Sequence, residues 1–307
     1  MICAQLVMWS AIAAAEPWEM NEFVIYLWAT PQVEDLDAKA GALAQAGFTV
    51  VDWEPGALDV LGEYRLKGMV HKPTSQLAQQ LSRHPNLWGY HCGDEPYPEE
   101  KFPPIAALFR ELEEADSRHP PFVNVLSTTG EFLRTYMRIV KPGILSFDYY
   151  QWKWGSDRYY EKLEQFREAA VLAGIPLGSC LEVMANPLSV GTVRTYLPDN
   201  PLKLRQSVYT NLAYDVKMIE WFSSRALFES DSVELSPAGR EWPLATPICA
   251  SSARCWSDCS PSASTTPGRW LWAPGRPPRS IGSTSSARRP GRDWCRGCSR
   301  TGKAPTT

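Results

Sequence analysis

The feature that most constrains this chain is an alternation, repeated eight times, between short apolar runs and longer amphipathic ones. The runs Phe23–Ala29 (FVIYLWA), Phe48–Trp53 (FTVVDW), Gly68–His71, Leu87–Cys92 (LWGYHC), Phe122–Leu126 (FVNVL), Ile144–Tyr149 (ILSFDY), Pro176–Val183 (PLGSCLEV) and Lys217–Phe222 (KMIEWF) have the length and composition of strands. Helix-like segments separate them: Val33–Ala46, Ala57–Leu66, Thr74–Arg83, Glu99–Ser117, Glu131–Val140, Asp157–Ala173 and one from Pro201 to Tyr214. Thr74 is a suitable cap, Pro201 suits a first helical turn, and Gly47 and Gly174 stand where helices stop. Strands alternating with helices imply parallel βαβ units, and eight of them within about 200 residues predict an α/β fold, a compact (β/α)8 TIM barrel. An open doubly wound sheet would need a glycine-rich phosphate loop after an early strand to hold a nucleotide, and the sequence has none.

Composition divides the chain. Residues 242–307 carry ten Arg and Lys against Asp258 and Asp293, a charge of +8, which leaves 21 basic and 32 acidic residues, or -11, in positions 1–241. An acidic body argues against nucleic acid or an anionic membrane as partner. The last segment has only Leu244, Ile248, Leu271 and Ile281 among Leu, Ile, Val and Phe, against eleven Ser and nine Pro, so it cannot form a core of its own. It reads as a disordered basic tail. Cys255, Cys259, Cys295 and Cys298 offer a zinc module as a rival reading, but the pairs lie far apart without an apolar framework. Out-of-frame translation of GC-rich DNA is a third: one permitted back-translation of Glu241–Trp256, read two nucleotides on, yields an amphipathic helix.

At the other end, Ile2 to Ala15 is apolar and closes on Ala13-Ala14-Ala15, like a signal-peptide core without its positive flank. The expected organisation is a leader remnant over 1–15, a barrel over 16–240 and a tail over 241–307. A secreted or periplasmic location follows from the leader, a cytoplasmic one without it. Cys92 and Cys180 lie inside apolar runs and read as buried free thiols. Oligomeric state is not legible.

In a parallel barrel all strand C-termini meet at one mouth. The strand ends supply Trp28, Trp53 with Glu54, His71 with Lys72, Asp94 with Glu95, Asp148 with Tyr149 and Tyr150, Glu182, and Trp221. The stretch Leu87–Pro96 is central: an apolar strand, a permissive Gly93, then two adjacent acids and a proline. A ring of carboxylates among aromatics suits glycoside chemistry. One carboxylic acid protonates the leaving oxygen, a carboxylate about 5–5.5 Å away attacks the anomeric carbon, and apolar rings stack on the sugar. Glu220, by alternation from Trp221, is expected to point away from the mouth.

The segments WGYHCGDEP, SFDYYQW and PLKLRQSVYTNLAYDVKMIEWF resemble clan A glycoside hydrolases, in particular barrels of the β-galactosidase family 42 type, over roughly Phe23 to Ser224. The resemblance implies a retaining hydrolase of β-linked sugars, β-galactosides among them, that needs no cofactor. It assigns Glu95, after strand four, as acid/base and Glu182, after strand seven, as nucleophile, with Trp28, Asp94, Asp148, Tyr149, Tyr150 and Trp221 contacting carbohydrate substrate. Asp94 stands where the clan usually has an Asn that contacts the sugar 2-hydroxyl. Two other classes compete: a metal-dependent barrel sugar isomerase or hydrolase, drawing ligands from His71, His91, Asp94, Glu95, Asp148 and Glu182, and a non-catalytic carbohydrate-binding or damaged barrel.

Overall fold

The computed structural model describes residues 18–126, 130–154, 156–182 and 201–222, and beyond them 224, 227–229, 232–236 and 239–240. The expected leader, most of the loop after the seventh strand, and the tail with its zinc and frameshift readings lie outside the described residues.

Eight strands run β1 (Val24–Trp28), β2 (Val50–Asp52), β3 (Lys67–His71), β4 (Leu87–Asp94), β5 (Pro121–Leu126), β6 (Leu145–Asp148), β7 (Leu177–Glu182) and β8 (Val216–Phe222). Each pairs in parallel with its sequence neighbour, and β8 returns to β1, so the sheet closes into a barrel. Between the strands lie α1 (Leu36–Gln45), α2 (Leu58–Glu63), α3 (Ser75–Leu81), α4 (Phe102–Ala115), α5 (Gly130–Val140), α6 (Gln151–Trp154), α7 (Ser156–Ala173) and α8 (Pro201–Ala213). The fold is the (β/α)8 TIM barrel that the alternation predicts.

Side-chain alternation builds two apolar layers. Val24, Tyr26, Val50, Met69, Trp88, Phe122, Ile144 and Met218 pack inside the barrel. Ile25, Leu27, Val51, Val70, Val125, Phe147, Leu181 and Trp221 face outward and pack with helix residues such as Leu43, Leu61, Phe109, Tyr136 and Phe166. At the N-terminal end Trp18 meets Trp88 edge-on, ring centroids 5.8 Å apart, and floors the interior. Gly178 keeps that interior passable: a Cβ there would lie 2.8 Å from Ser146 Cβ and 2.9 Å from Met218 Cε, too close for any larger residue without movement.

Local chemistry fixes the helix starts. Asp35 accepts from the backbone of Asp37 and Ala38 to cap α1, and Thr74 Oγ1 accepts from Leu77 N at 3.2 Å to cap α3. Left-handed residues then sort by barrel end. Gly47, Arg65, Lys141, Gly174 and Asp215 turn the chain from helices into strands, whereas Ala29, Lys72 and Glu95 follow directly on the C-terminal ends of β1, β3 and β4. Non-glycine residues at positive φ cost energy and concentrate where a site demands them.

Strand ends differ from expectation by a residue or two: β1, β6 and β7 stop one residue early, at Trp28, Asp148 and Glu182. β2 stops at Asp52, one residue before the predicted Trp53. β4 runs two residues past Cys92, because a register irregularity between His91 and Gly93 lets the ladder continue through Asp94, opposite Asn124.

Candidate active site

The mouth is built from inward-facing residues at the strand tips. On the β1–β3 side, the Asp52 carboxylate collects three donors or partners: Tyr26 Oη, the Ala29 amide at 2.7 Å, and His71 Nε2 at 2.6 Å. His71 stacks on His91, ring centroids 4.3 Å apart at 16°, and Trp28 covers His91 at 4.7 Å and Phe222 at 5.0 Å. His91 is 3% exposed, and its Nε2 has no hydrogen-bond partner. Burial, reinforced by neighbouring His71, pushes its pKa down to about 3, so it is a neutral ring.

On the β4–β6 side the two acids of the Asp-Glu pair go different ways. Asp94 ends the strand exposed, its Oδ1 accepting from Asn124 Nδ2 at 3.1 Å. Loss of water around its carboxyl lifts its pKa, an effect the Asn124 hydrogen bond opposes and the charge of Glu95 assists. Glu95 adopts φ 40° and donates its backbone N–H to Asn124 O at 2.9 Å, which leaves it half-buried at the mouth. Asp148 ends β6 at 3% exposure, near enough to feel the charge of Glu95. Burial, then the Glu95 charge and hydrogen bond, raise Asp148 to about 8. Tyr150 turns toward Cys180, Asp148 and Glu220, and burial followed by those charges raises its hydroxyl far above the usual range.

Other expected contacts lie elsewhere. Trp221 is 1% exposed in the outer layer between strands and helices, and Tyr149 packs in the same layer, 6.1 Å from the Tyr159 ring. Trp53 also faces outward, its Nε1 donating to Ala57 O at 2.9 Å, and Glu54 is exposed. Trp152, on the segment after β6, donates to Ser207 Oγ on α8 at 3.0 Å. Alternation explains these displacements: on a strand buried on both sides, a tryptophan faces the layer with room for it, and in β8 that is the helix side. The inward residue of β8 is Glu220, 0% exposed, in register with Tyr26 and Cys180. Ser146 Oγ donates to its Oε2 at 3.5 Å, and burial, then Asp52, Asp94 and Asp148, raise its pKa well above the usual range. The expectation that Glu220 points away from Trp221 holds; the face assigned to each is reversed.

Glu182 ends β7 opposite Phe222, while its side chain lies outside the described residues. The mouth thus brings together Trp28, Asp94, Glu95, Asp148 and Tyr150, and adds Asp52, His91, Asn124 and Glu220. Tyr97 is a further addition, 59% exposed on the loop that leaves Glu95 and 6.0 Å from the Phe132 ring. Among the described residues no group of three or more His, Cys, Asp or Glu is arranged to hold a metal ion. Nor, among them, is any helix long and apolar enough to cross a membrane.

The chain matches no family model and no curated protein. Solved structures do share its fold. A GH5_18 protein from Bifidobacterium longum in complex with Manβ1-4GlcNAc has a TM-score of 0.52 at 12% identity, over 74% of this chain and 78% of that one. The catalytic domain of a mannanase from Streptomyces sp. SirexAA-E has 0.51 at 14%, over 81% and 98%. A GH128 endo-β-1,3-glucanase from Amycolatopsis mediterranei in complex with laminaritriose has 0.51 at 13%, over 73% and 99%. These neighbours are glycoside hydrolases of families 5 and 128; a family 42 assignment has no support among them. At this identity the likeness fixes one thing, the β/α barrel architecture.

Proposed function

We propose that this chain is a glycoside hydrolase that cleaves a β-linked sugar with retention, Glu95 serving as acid/base and Glu182 as nucleophile. The observation that carries the reading is the presentation of Glu95. It sits at the tip of the fourth of eight parallel strands, in a left-handed conformation and half-buried, between the strand-end acid Asp94 and Pro96. Glu95 gives its proton to the glycosidic oxygen as the C–O bond breaks and the Glu182 carboxylate bonds the anomeric carbon. Glu95 then takes a proton from the water that releases the sugar.

The neighbours' ligands, Manβ1-4GlcNAc and laminaritriose, favour a gluco- or manno-configured substrate over a galactosidic one. A panel of aryl β-glucosides, β-mannosides and β-galactosides, with β-1,3- and β-1,4-linked oligosaccharides, tests this. Hydrolysis of at least one, with the β-anomer as first product in proton NMR, is expected. No hydrolysis of any member, or an α-anomer, overturns it.

Tyr97 offers an apolar face beside the mouth, and the proposal makes it a stacking surface for a sugar ring. Tyr97→Ala is expected to raise KM by about 3- to 10-fold with little change in kcat, the loss of one aromatic contact. Steady-state kinetics on an oligosaccharide checks it.

A further inference from the structure

The reaction proposed above uses Glu95 and Glu182, and leaves Asp52 and its three partners without a task. We infer that Asp52 is a positioning residue that locks His71 in one tautomer, so that the mouth selects a sugar hydroxyl able to donate a hydrogen bond. The inference rests on the reading of the mouth as a carbohydrate site.

Three contacts converge on the Asp52 carboxylate. The Ala29 N–H can only donate, so Oδ2, 2.7 Å away, is an acceptor. Oδ1 takes Tyr26 Oη and His71 Nε2, the nitrogen at 2.6 Å. Between a carboxyl and an imidazole the proton belongs to the nitrogen, the more basic of the two. Nε2 therefore carries hydrogen and donates, and in the neutral ring Nδ1 is left with a lone pair that accepts.

The ring is held on its face as well as its edge. His71 stacks on buried His91, its register partner in β4, with centroids 4.3 Å apart at 16°. Yet the His71 side chain keeps 34% of its surface exposed, and Nδ1 bonds to none of the described residues. A fixed ring at the tip of β3 thus offers one unused acceptor within reach of a ligand. A sugar hydroxyl donates to it, and a group that only accepts gains nothing there.

Asp52→Asn should reverse the tautomer. The Ala29 amide still needs an acceptor, so the new side-chain oxygen stays at the Oδ2 position and the NH2 replaces Oδ1. That NH2 donates to Nε2, which moves the ring hydrogen to Nδ1, and Tyr26 Oη can accept the second amide hydrogen.

Nitrogen-15 NMR of the histidine-labelled protein reads the tautomer directly. Neutral His71 is expected as Nε2–H in wild type and as Nδ1–H in Asp52→Asn. Fluorine accepts weakly and cannot donate, so aryl glycosides fluorinated at single positions of the cleaved sugar read the consequence. At one position, exchange of hydroxyl for fluorine should lower kcat/KM of wild type about 10-fold more than that of Asp52→Asn. The inductive effect of fluorine is common to both proteins and cancels in the comparison. An Nδ1–H ring in wild type, an Nε2–H ring retained in Asp52→Asn, or an equal fluorine penalty at every position overturns the inference. If no glycoside is cleaved, the hydrolase reading fails on the substrate panel. The wild-type tautomer and the response of the Nδ1 resonance to added mannose or laminaritriose then decide, as they do if Asp52→Asn does not fold. A resonance that neither sugar moves overturns the inference.

Discussion

Glu95→Gln is expected to lower kcat on an oligosaccharide by about 10²- to 10⁴-fold, the usual worth of a positioned general acid. On an aryl glycoside whose phenol leaves readily, the first step needs little proton assistance, and the loss there should fall on release of the sugar instead. The variant should therefore show a burst of phenol equal to the enzyme present, followed by a slow steady state. The amide fills the space of the carboxyl and the backbone bond from residue 95 to Asn124 O is retained, so folding should be unaffected. Equal loss on both substrates without a burst would point to a role in binding. Unchanged hydrolysis of both would remove Glu95 from the mechanism.

That such a specific residue can be singled out reflects what alternation encodes. Eight apolar runs separated by amphipathic ones leave few folds open, and each helix stop at Gly47 or Gly174 marks a real turn into a strand. Counting strands then places Glu95 at the end of the fourth. Which face a strand residue takes was less legible, because both faces of a barrel strand are buried and polarity no longer labels the outside. In KMIEWF the expected solvent-like residue, Glu220, is the one inside, and Trp221 takes the helix side. Asp52 was recoverable in principle: Val51 and Trp53 share a face, so the residue between them must lie on the other. The pairings of Asn124 with Asp94, of His71 with His91, and of Ser146 with Glu220 join residues 20 or more positions apart. No local pattern carries such contacts; they arise only when the barrel closes.

The buried acids also make stability depend on pH in a definite sense. Asp148 has an ordinary value of 3.8 and about 8 when folded, and Glu220 is likewise raised, chiefly by burial. Folding therefore holds protons that the unfolded chain releases. The stability tied to each group is fully present below its unfolded value and is lost as pH rises toward the folded one, at up to about 1.4 kcal/mol per pH unit. His91 works the other way: held neutral by burial, with its value lowered from 6.5 to about 3, it costs stability as pH falls below about 6.5. Wild-type stability mixes these opposing slopes, so a difference between variants isolates one of them. Glu220→Gln replaces a neutral buried acid by a neutral amide of the same shape, which cannot ionise on unfolding. Its urea midpoint should match wild type near pH 4 and exceed it at pH 7, with the gap widening as pH rises between the two. Equal midpoints at pH 7 would mean that Glu220 is ionised in the folded barrel, and that the interior beneath the mouth is far more polar than its lining of Phe122, Met218 and Tyr26 allows.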